Sequence, residues 1–278
     1  MAKALAGSKK APGIKLGIIG CGNMGRALLE GLLSQKVLPR RHLLVSDVEA
    51  SVSEAIQRQF KVKATDNRQL AAACQVLVVA VKPHQVGPVL EEVKECLSRK
   101  TLIFSLAAGV STRFLERTLA PERIGVVRLM PNILVKIRQG VIAYCPGRYA
   151  TGVDLLVKRI FSPLGKVIKI KESQMDTFTA ISGSGPGYLF YLAELLEEIA
   201  RKRGFSQQTV REIIATQFTG TGLMLAASSQ PAKTLKEKVC SPGGTTLAGL
   251  AVLEQEKLSS VLEKAIQAAE KRSRQLTR

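Results

Sequence analysis

The chain has 278 residues, 46% of them hydrophobic, which suits two domains and is enough to bury a core without disulfides or metal. Its formal net charge is +19, yet only 4% of residues are aromatic and none is Trp, so the aromatic-interleaved basic stretch that stacks bases is missing and specific nucleic-acid binding is not expected. No apolar run approaches the roughly 18 residues of a membrane span, and five scattered cysteines without a C-x-x-C, with two distant histidines, supply neither a disulfide framework nor a metal ligand set.

In chain order, residues 1–13 read as a disordered basic tail with no apolar core of a secretory signal, and the expected compartment is the cytoplasm; a short organellar leader is the alternative. Much of the excess charge sits at the two ends, in Lys3, Lys9, Lys10 and Lys15 and in Lys271, Arg272, Arg274 and Arg278. Residues 15–20 form a short apolar strand, followed by a glycine-rich turn and a helix through residues 26–33. Further strands are expected at 42–47, 76–81, 101–106, 124–129, 141–144 and 166–170, with helical segments between. Such continuous apolarity suits parallel strands buried on both faces. The α/β alternation predicts a doubly wound, mainly parallel sheet over residues 14–172.

Near Glu172 the pattern changes to helices alone, at 186–203, 206–227, 244–255 and 259–276. Pro186 at the start of the first and Gly204 after its end follow the usual asymmetry, and Ser206 is a candidate N-cap for the second. Residues 173–278 are therefore expected to form an all-α domain, with Gly220, Gly222, Ala226 and Ala227 available for close packing within or between chains.

Gly20-Cys21-Gly22-Asn23-Met24-Gly25 is a G-x-G-x-x-G between a strand and a helix, the context that makes this weak pattern a dinucleotide-binding, Rossmann-type fingerprint. The first glycine makes the turn, the second admits the pyrophosphate, and the third lets helix and strand approach. Ser46-Asp47 follows about 20 residues on, where a carboxylate accepts from the adenosine ribose and repels a 2′-phosphate. Ala80-Val81-Lys82-Pro83 and Ser105-Leu106-Ala107-Ala108-Gly109 end two strands whose carboxyl ends line a ligand crevice. Lys82 reads equally as a site residue or as a solvated strand-end lysine, and His84 beside it reads as structural. Asn132, in Met130-Pro131-Asn132, offers a donor and an acceptor at the domain seam. Residues 182–187 and 241–246 read as two glycine-rich loops opening helices, together a second anion site suited to a carboxylate.

In this order and at this spacing, Ala80–Pro83, Ala107–Gly109, Met130–Asn132, Ser182–Pro186 and Ser241–Thr246 resemble the pyrroline-5-carboxylate reductase family, over about residues 15–276. The resemblance implies a Rossmann domain followed by a helical dimerisation domain, with dimers often assembling into a decamer. It implies reduction of the cyclic imine 1-pyrroline-5-carboxylate to L-proline with NADPH or NADH as cofactor. By position it implies dinucleotide contacts from Gly20, Cys21, Gly22, Asn23, Met24, Ser46, Asn67, Ala80, Val81, Lys82, Pro83, Leu106, Ala107 and Ala108. It implies substrate contacts, partly from a partner subunit, by Val239, Ser241, Gly243, Gly244, Thr245 and Thr246. Gly25 and Asp47 join the dinucleotide set from the motif itself. Thr246 is the candidate catalytic residue, its hydroxyl hydrogen-bonding the imine nitrogen.

Three segments depart from the family pattern. Ile133-Leu134 stand where Thr-Pro is common, Gly187 stands where alanine is common, and Ser46-Asp47-Val48 stand where many NADPH-preferring members have Ser-Asn-Arg, which leaves the dinucleotide preference open. The alternatives are a reductase of a related cyclic imine or hydroxyacid and a non-enzymatic dinucleotide-binding protein. The expected helix at 186–203 carries its lysine only at the distal Lys202, which counts against a hydroxyacid dehydrogenase. Intact glycine-rich loops count against a protein that only binds.

Overall fold

The computed structural model describes residues 13–276, so the expected basic tail, apart from Gly13, lies outside the described residues, as does Arg278. The apolar runs form strands β1 (Leu16–Ile19), β2 (Leu43–Ser46), β3 (Lys63–Ala64), β4 (Val76–Val79), β5 (Leu102–Ser105), β6 (Gly125–Met130), β7 (Gly140–Pro146) and β8 (Gly165–Lys169). They make one sheet in the order β3-β2-β1-β4-β5-β6-β7-β8. All pairings are parallel except β6 with β7. The exception has a simple cause. Between β6 and β7 the chain has only residues 131–139, part of them a 3₁₀ turn at Ile133–Ile137, and a parallel crossover needs about a dozen residues or more.

Helices α1 (Asn23–Ser34), α2 (Ala50–Phe60), α3 (Asn67–Ala73), α4 (Pro83–Val93), α5 (Thr112–Thr118) and α6 (Asp154–Phe161) lie between the strands in sequence. The strands alternate sides with a period of two. Ile18, Val78 and Phe104 enter a core with Leu28, Leu32 and Phe161, whereas Ile19, Val79 and Ile103 enter another with Leu70, Leu90 and Leu115. Because both faces are covered, β1, β2, β4 and β6 are buried along their whole length and are apolar without alternation, save for Ser46 at the end of β2 and Arg128 in β6. Phe104 and Phe161 meet edge to face with ring centroids 5.5 Å apart. β3 has no counterpart in the sequence reading. Lys63-Ala64 is too short and polar to read as a strand and pairs only because the β2 edge is open beside it.

After β8 come the short α7 (Met175–Phe178), a π-helical turn at Thr179–Gly183, and then α8 (Gly185–Lys202), α9 (Gln207–Ala227), α10 (Ala232–Lys238), α11 (Thr245–Gln255) and α12 (Leu258–Gln275). The chain divides into two compact units, one holding residues up to Pro186 with those from Ala268 on, the other Gly187–Gln267. A buried ion cluster explains why the last turns of α12 belong with the sheet. Arg128 on β6, almost fully buried, donates to Glu172 Oε1 at 2.6 Å and to Asp176 Oδ1 at 3.1 Å. Ser273 Oγ reaches the same Asp176 oxygen at 2.8 Å, and Thr112 Oγ1 donates to Glu172 at 2.7 Å. Such a charge needs its partners, since an unpaired buried guanidinium is strongly destabilising.

Residues 182–187 correct the sequence reading. They are not a loop: the π turn runs on through Ser184, whose N–H bonds Thr179 O at 2.9 Å, into α8. Among the described residues, no helix is long and apolar enough to cross a membrane, and no group of three or more His, Cys, Asp or Glu side chains could hold a metal ion.

Candidate functional site

The glycine-rich turn is shaped by close backbone packing. Gly20 sits at φ +96°, a conformation that side chains disfavour. A Cβ on Gly25 would run into the carbonyl oxygen of Gly20. Gly22 differs: apart from its chain neighbours and its own helix, nothing lies within 4 Å of where its Cβ would stand. It is the N-cap of α1, in extended conformation, and no side chain caps the helix. The first-turn N–H groups thus have no side-chain cap, and the space beside Gly22 is open, which suits a pyrophosphate. Asn23 is exposed, and Met24 packs against the core from a half-buried position.

Cys21 is buried in this turn. Its N–H donates to Asp47 Oδ2 at 2.6 Å and its thiol contacts Ser46 O at 3.6 Å. Burial, with Asp47 adding to it, pushes the thiol up to about 12. It stays protonated at neutral pH, so its part here is to fill space and hold the turn. The second Asp47 oxygen accepts Glu49 N–H at 3.0 Å. Beside it, Ser46 Oγ donates to Asn67 Oδ1 at 2.7 Å, and Asn67 Nδ2 donates to Glu92 Oε2 at 2.7 Å. Glu92 was missing from the sequence reading. It lies on α4, 25 positions from Asn67, and no motif marks it.

The ends of four neighbouring strands are brought level by hydrogen bonds that continue the ladder. Gly20 N reaches Ser46 O at 2.8 Å, Ala80 N reaches Ile19 O at 2.8 Å, and Leu106 N reaches Val79 O at 2.9 Å. Ala80 and Val81 are half-buried, Ala107 is buried, and Ala108 is half-buried. Lys82 is exposed at the N-cap of α4, its N–H bonded to Gln85 Oε1 at 3.2 Å, and Pro83 is the first residue of that helix. Glycines and alanines at these ends, together with the uncapped α1, fit an extended dinucleotide.

Asn132 is almost fully buried and both its groups are engaged. Its Oδ1 accepts from Val141 N at 3.4 Å, and its Nδ2 donates to Ser182 O at 3.2 Å. The second bond follows from Pro186. A proline has no N–H to give to the carbonyl four residues earlier, and that carbonyl is Ser182 O. Asn132 satisfies it instead, and so acts as a structural clip.

The second glycine-rich segment is a turn, as expected. Val239 ends α10; Gly243 follows at φ +69°, and Gly244 N bonds Ser241 O at 2.9 Å. Gly244 is the extended N-cap of α11, again without a side-chain cap. Thr245 and Thr246 form its first turn, exposed, as are Val239, Ser241 and Gly243. Free N–H groups and two hydroxyls at one helix start suit a carboxylate beside a polar atom.

Two family models match the chain. Residues 172–276 match the family described as pyrroline-5-carboxylate reductase dimerisation, and residues 15–109 match the one described as NADP oxidoreductase, coenzyme F420-dependent. Over 266 residues the chain is 33% identical to pyrroline-5-carboxylate reductase 3 of Xenopus laevis, spanning 95% of this chain and 97% of that protein. Pyrroline-5-carboxylate reductase of Methanosarcina acetivorans is 32% identical, over 94% and 97%. The crystal structure of Plasmodium falciparum pyrroline carboxylate reductase with NADP bound superposes at a TM-score of 0.88, with 30% identity, covering 96% of this chain and 99% of that one.

Proposed function

This chain belongs to the pyrroline-5-carboxylate reductase family, and we propose that it carries out that reaction with the glycine-rich turn at residues 20–25 holding the dinucleotide and Thr246 meeting the substrate nitrogen. The enzyme is an NAD(P)H-dependent oxidoreductase that reduces 1-pyrroline-5-carboxylate to L-proline, and it works as a homo-oligomer. The observation that carries the site reading is the open, uncapped start of α1 at Gly22.

Bound NAD(P)H supplies a hydride to the C=N carbon, and the ring nitrogen gains a proton to become an amine. The protein's share is orientation and charge placement. Gly20–Gly25, Ser46, Asp47, Asn67, residues 80–83 and residues 106–108 hold the dinucleotide. The N–H groups that follow Gly243 and Gly244 hold the substrate carboxylate, with Val239, Ser241 and Thr245 around it, and a partner copy completes these contacts. The Thr246 hydroxyl hydrogen-bonds the nitrogen as electron density moves onto it. No strong base is needed, which accords with a chain of only two histidines.

On this reading residues 14–172 are the dinucleotide domain and residues 173–278 the dimerisation and substrate domain. Dimers assemble further, to a decamer, in the cytoplasm, without a membrane or nucleic-acid partner. The test is loss of reduced-nicotinamide absorbance with pyrroline-5-carboxylate, run with NADH and with NADPH; no loss with either rejects the reading. Thr246→Val keeps the shape and removes one hydrogen bond to a partly charged centre, worth about 1.5–3 kcal/mol, or roughly 10- to 150-fold in turnover. Dinucleotide affinity stays unchanged. A folded variant with wild-type turnover rejects the role of Thr246.

A further inference from the structure

We infer that the ribose end of the dinucleotide site selects NADH over NADPH, and that Glu92, acting through Asn67, is part of the selection. The inference rests on the dinucleotide reading above and deepens it. A ribose 2′-hydroxyl has a proton to give and needs an acceptor. A 2′-phosphate carries up to two negative charges and needs donors or a cation.

The end of β2 supplies acceptors. Asp47 stands there half-buried, and residues 46–50, Ser-Asp-Val-Glu-Ala, contain two acids and no base. Val48, the residue after Asp47, is 90% exposed, an apolar side chain where a phosphate-binding site would place a cation. The two neutral donors that remain, Ser46 and Asn67, already give a proton each to a neighbour. Glu92 accepts only, so Asn67 must present its amide N–H to it. That leaves the Asn67 carbonyl oxygen facing Ser46, which spends its hydroxyl proton there. Glu92 thus takes one of the two Asn67 amide protons, turns the Ser46 hydroxyl proton inward through the same amide, and adds a second carboxylate behind them. The net charge of +19 attracts either dinucleotide, but much of it sits at the two ends of the chain and it is largely screened beyond about 8 Å, so the local carboxylates decide between the two.

The experiment is a titration of the full chain with NADH and with NADPH, imine absent, read by calorimetry or nicotinamide fluorescence. NADH is expected to bind at least about tenfold more tightly, as a half-buried carboxylate facing a phosphate implies. Asp47→Asn, which keeps an acceptor for the Cys21 N–H, moves the ratio of affinities at least about tenfold toward NADPH. Glu92→Ala, at an exposed position where solvent screens the charge, moves it by about threefold with an unchanged melting temperature. A merely structural role for Glu92 alters melting or weakens both dinucleotides equally and leaves that ratio where it was, which would overturn its part. Wild-type protein binding NADPH as tightly as NADH overturns the inference alone. Wild-type protein binding neither overturns the dinucleotide reading, and this inference with it.

Discussion

Residues up to Pro186 and residues 187–267 are both rich in apolar side chains, but they dispose of them in opposite ways. In the first, strand after strand is buried from end to end on two faces. In the second, Val210 and Ile214 are the buried residues, while Phe190, Tyr191, Leu223, Met224, Val252 and Val261 are each more than half exposed. α11, reading TTLAGLAVLEQ, is apolar around most of its circumference and buries none of it within the chain. A helix of that kind belongs in a core. Exposed apolar surface on this scale marks an association site, and the match to the dimerisation family covers the same residues. The first region carries its own core, and the second borrows one from another copy.

The contrast is sharpest for Phe104, fully buried against Phe161. Phe104→Ala should cost about 3–5 kcal/mol, seen as a fall in melting temperature that is the same at every protein concentration. A loss that shrinks as protein is added would mean that the sheet region also leans on its partner.

Thiol labelling probes how tightly the core of the sheet region is closed, without mutation. Burial, with Lys15 opposing it weakly, pushes Cys74 up to about 12; burial first, then Glu172, pushes Cys145 up to about 11. At pH 8 a thiol at about 12 has roughly a thousandth of the thiolate of an ordinary one. Cys21, Cys74 and Cys145 should therefore stay unlabelled in folded protein while Cys96 and Cys240 react. Prompt reaction of all five would show that the sheet region opens readily.

Phe190→Glu tests the borrowed core. On a self-sufficient surface the change costs within about 0.5 kcal/mol. In an interface it removes a buried aromatic worth about 1.5–3 kcal/mol from each copy, enough to weaken association at least about a hundredfold. Sedimentation over a dilution series decides, and unchanged assembly would return Phe190 to solvent.

The smallest effect belongs to Asp154 on α6, whose carboxyl is held below its ordinary range by the hydrogen bond from Lys169, then by that from Tyr144. A depressed carboxylate stabilises the fold fully above its unfolded pKa, and that contribution fades as pH falls through the folded one. Asp154 is 47% exposed, so Asp154→Asn should cost only about 0.2–1 kcal/mol at pH 7. Wild-type and variant stabilities should converge in acid, and a gap that persists there would assign the loss to packing.

What could be read from the sequence was local. A G-x-G-x-x-G between an apolar run and a helix, strands needing apolarity on both faces, and a Gly-Gly-Thr-Thr turn each depend on residues adjacent in the chain, whose backbone preferences act before any tertiary contact forms. What only the tertiary structure decided was relational. Residues 182–187 carry the composition of a loop, yet they run from the end of a π turn into α8, and Asn132, 50 positions away, donates to the Ser182 carbonyl that the Pro186 nitrogen cannot serve. Lys63-Ala64 became a strand because an edge was open beside it, and α10, a short and largely polar helix, escaped the periodicity that reveals longer ones. Glu92 entered the dinucleotide site through an amide on another helix. Apart from α10, the deciding partner is distant along the chain, and a hydrogen bond or an open edge leaves no periodic trace in sequence.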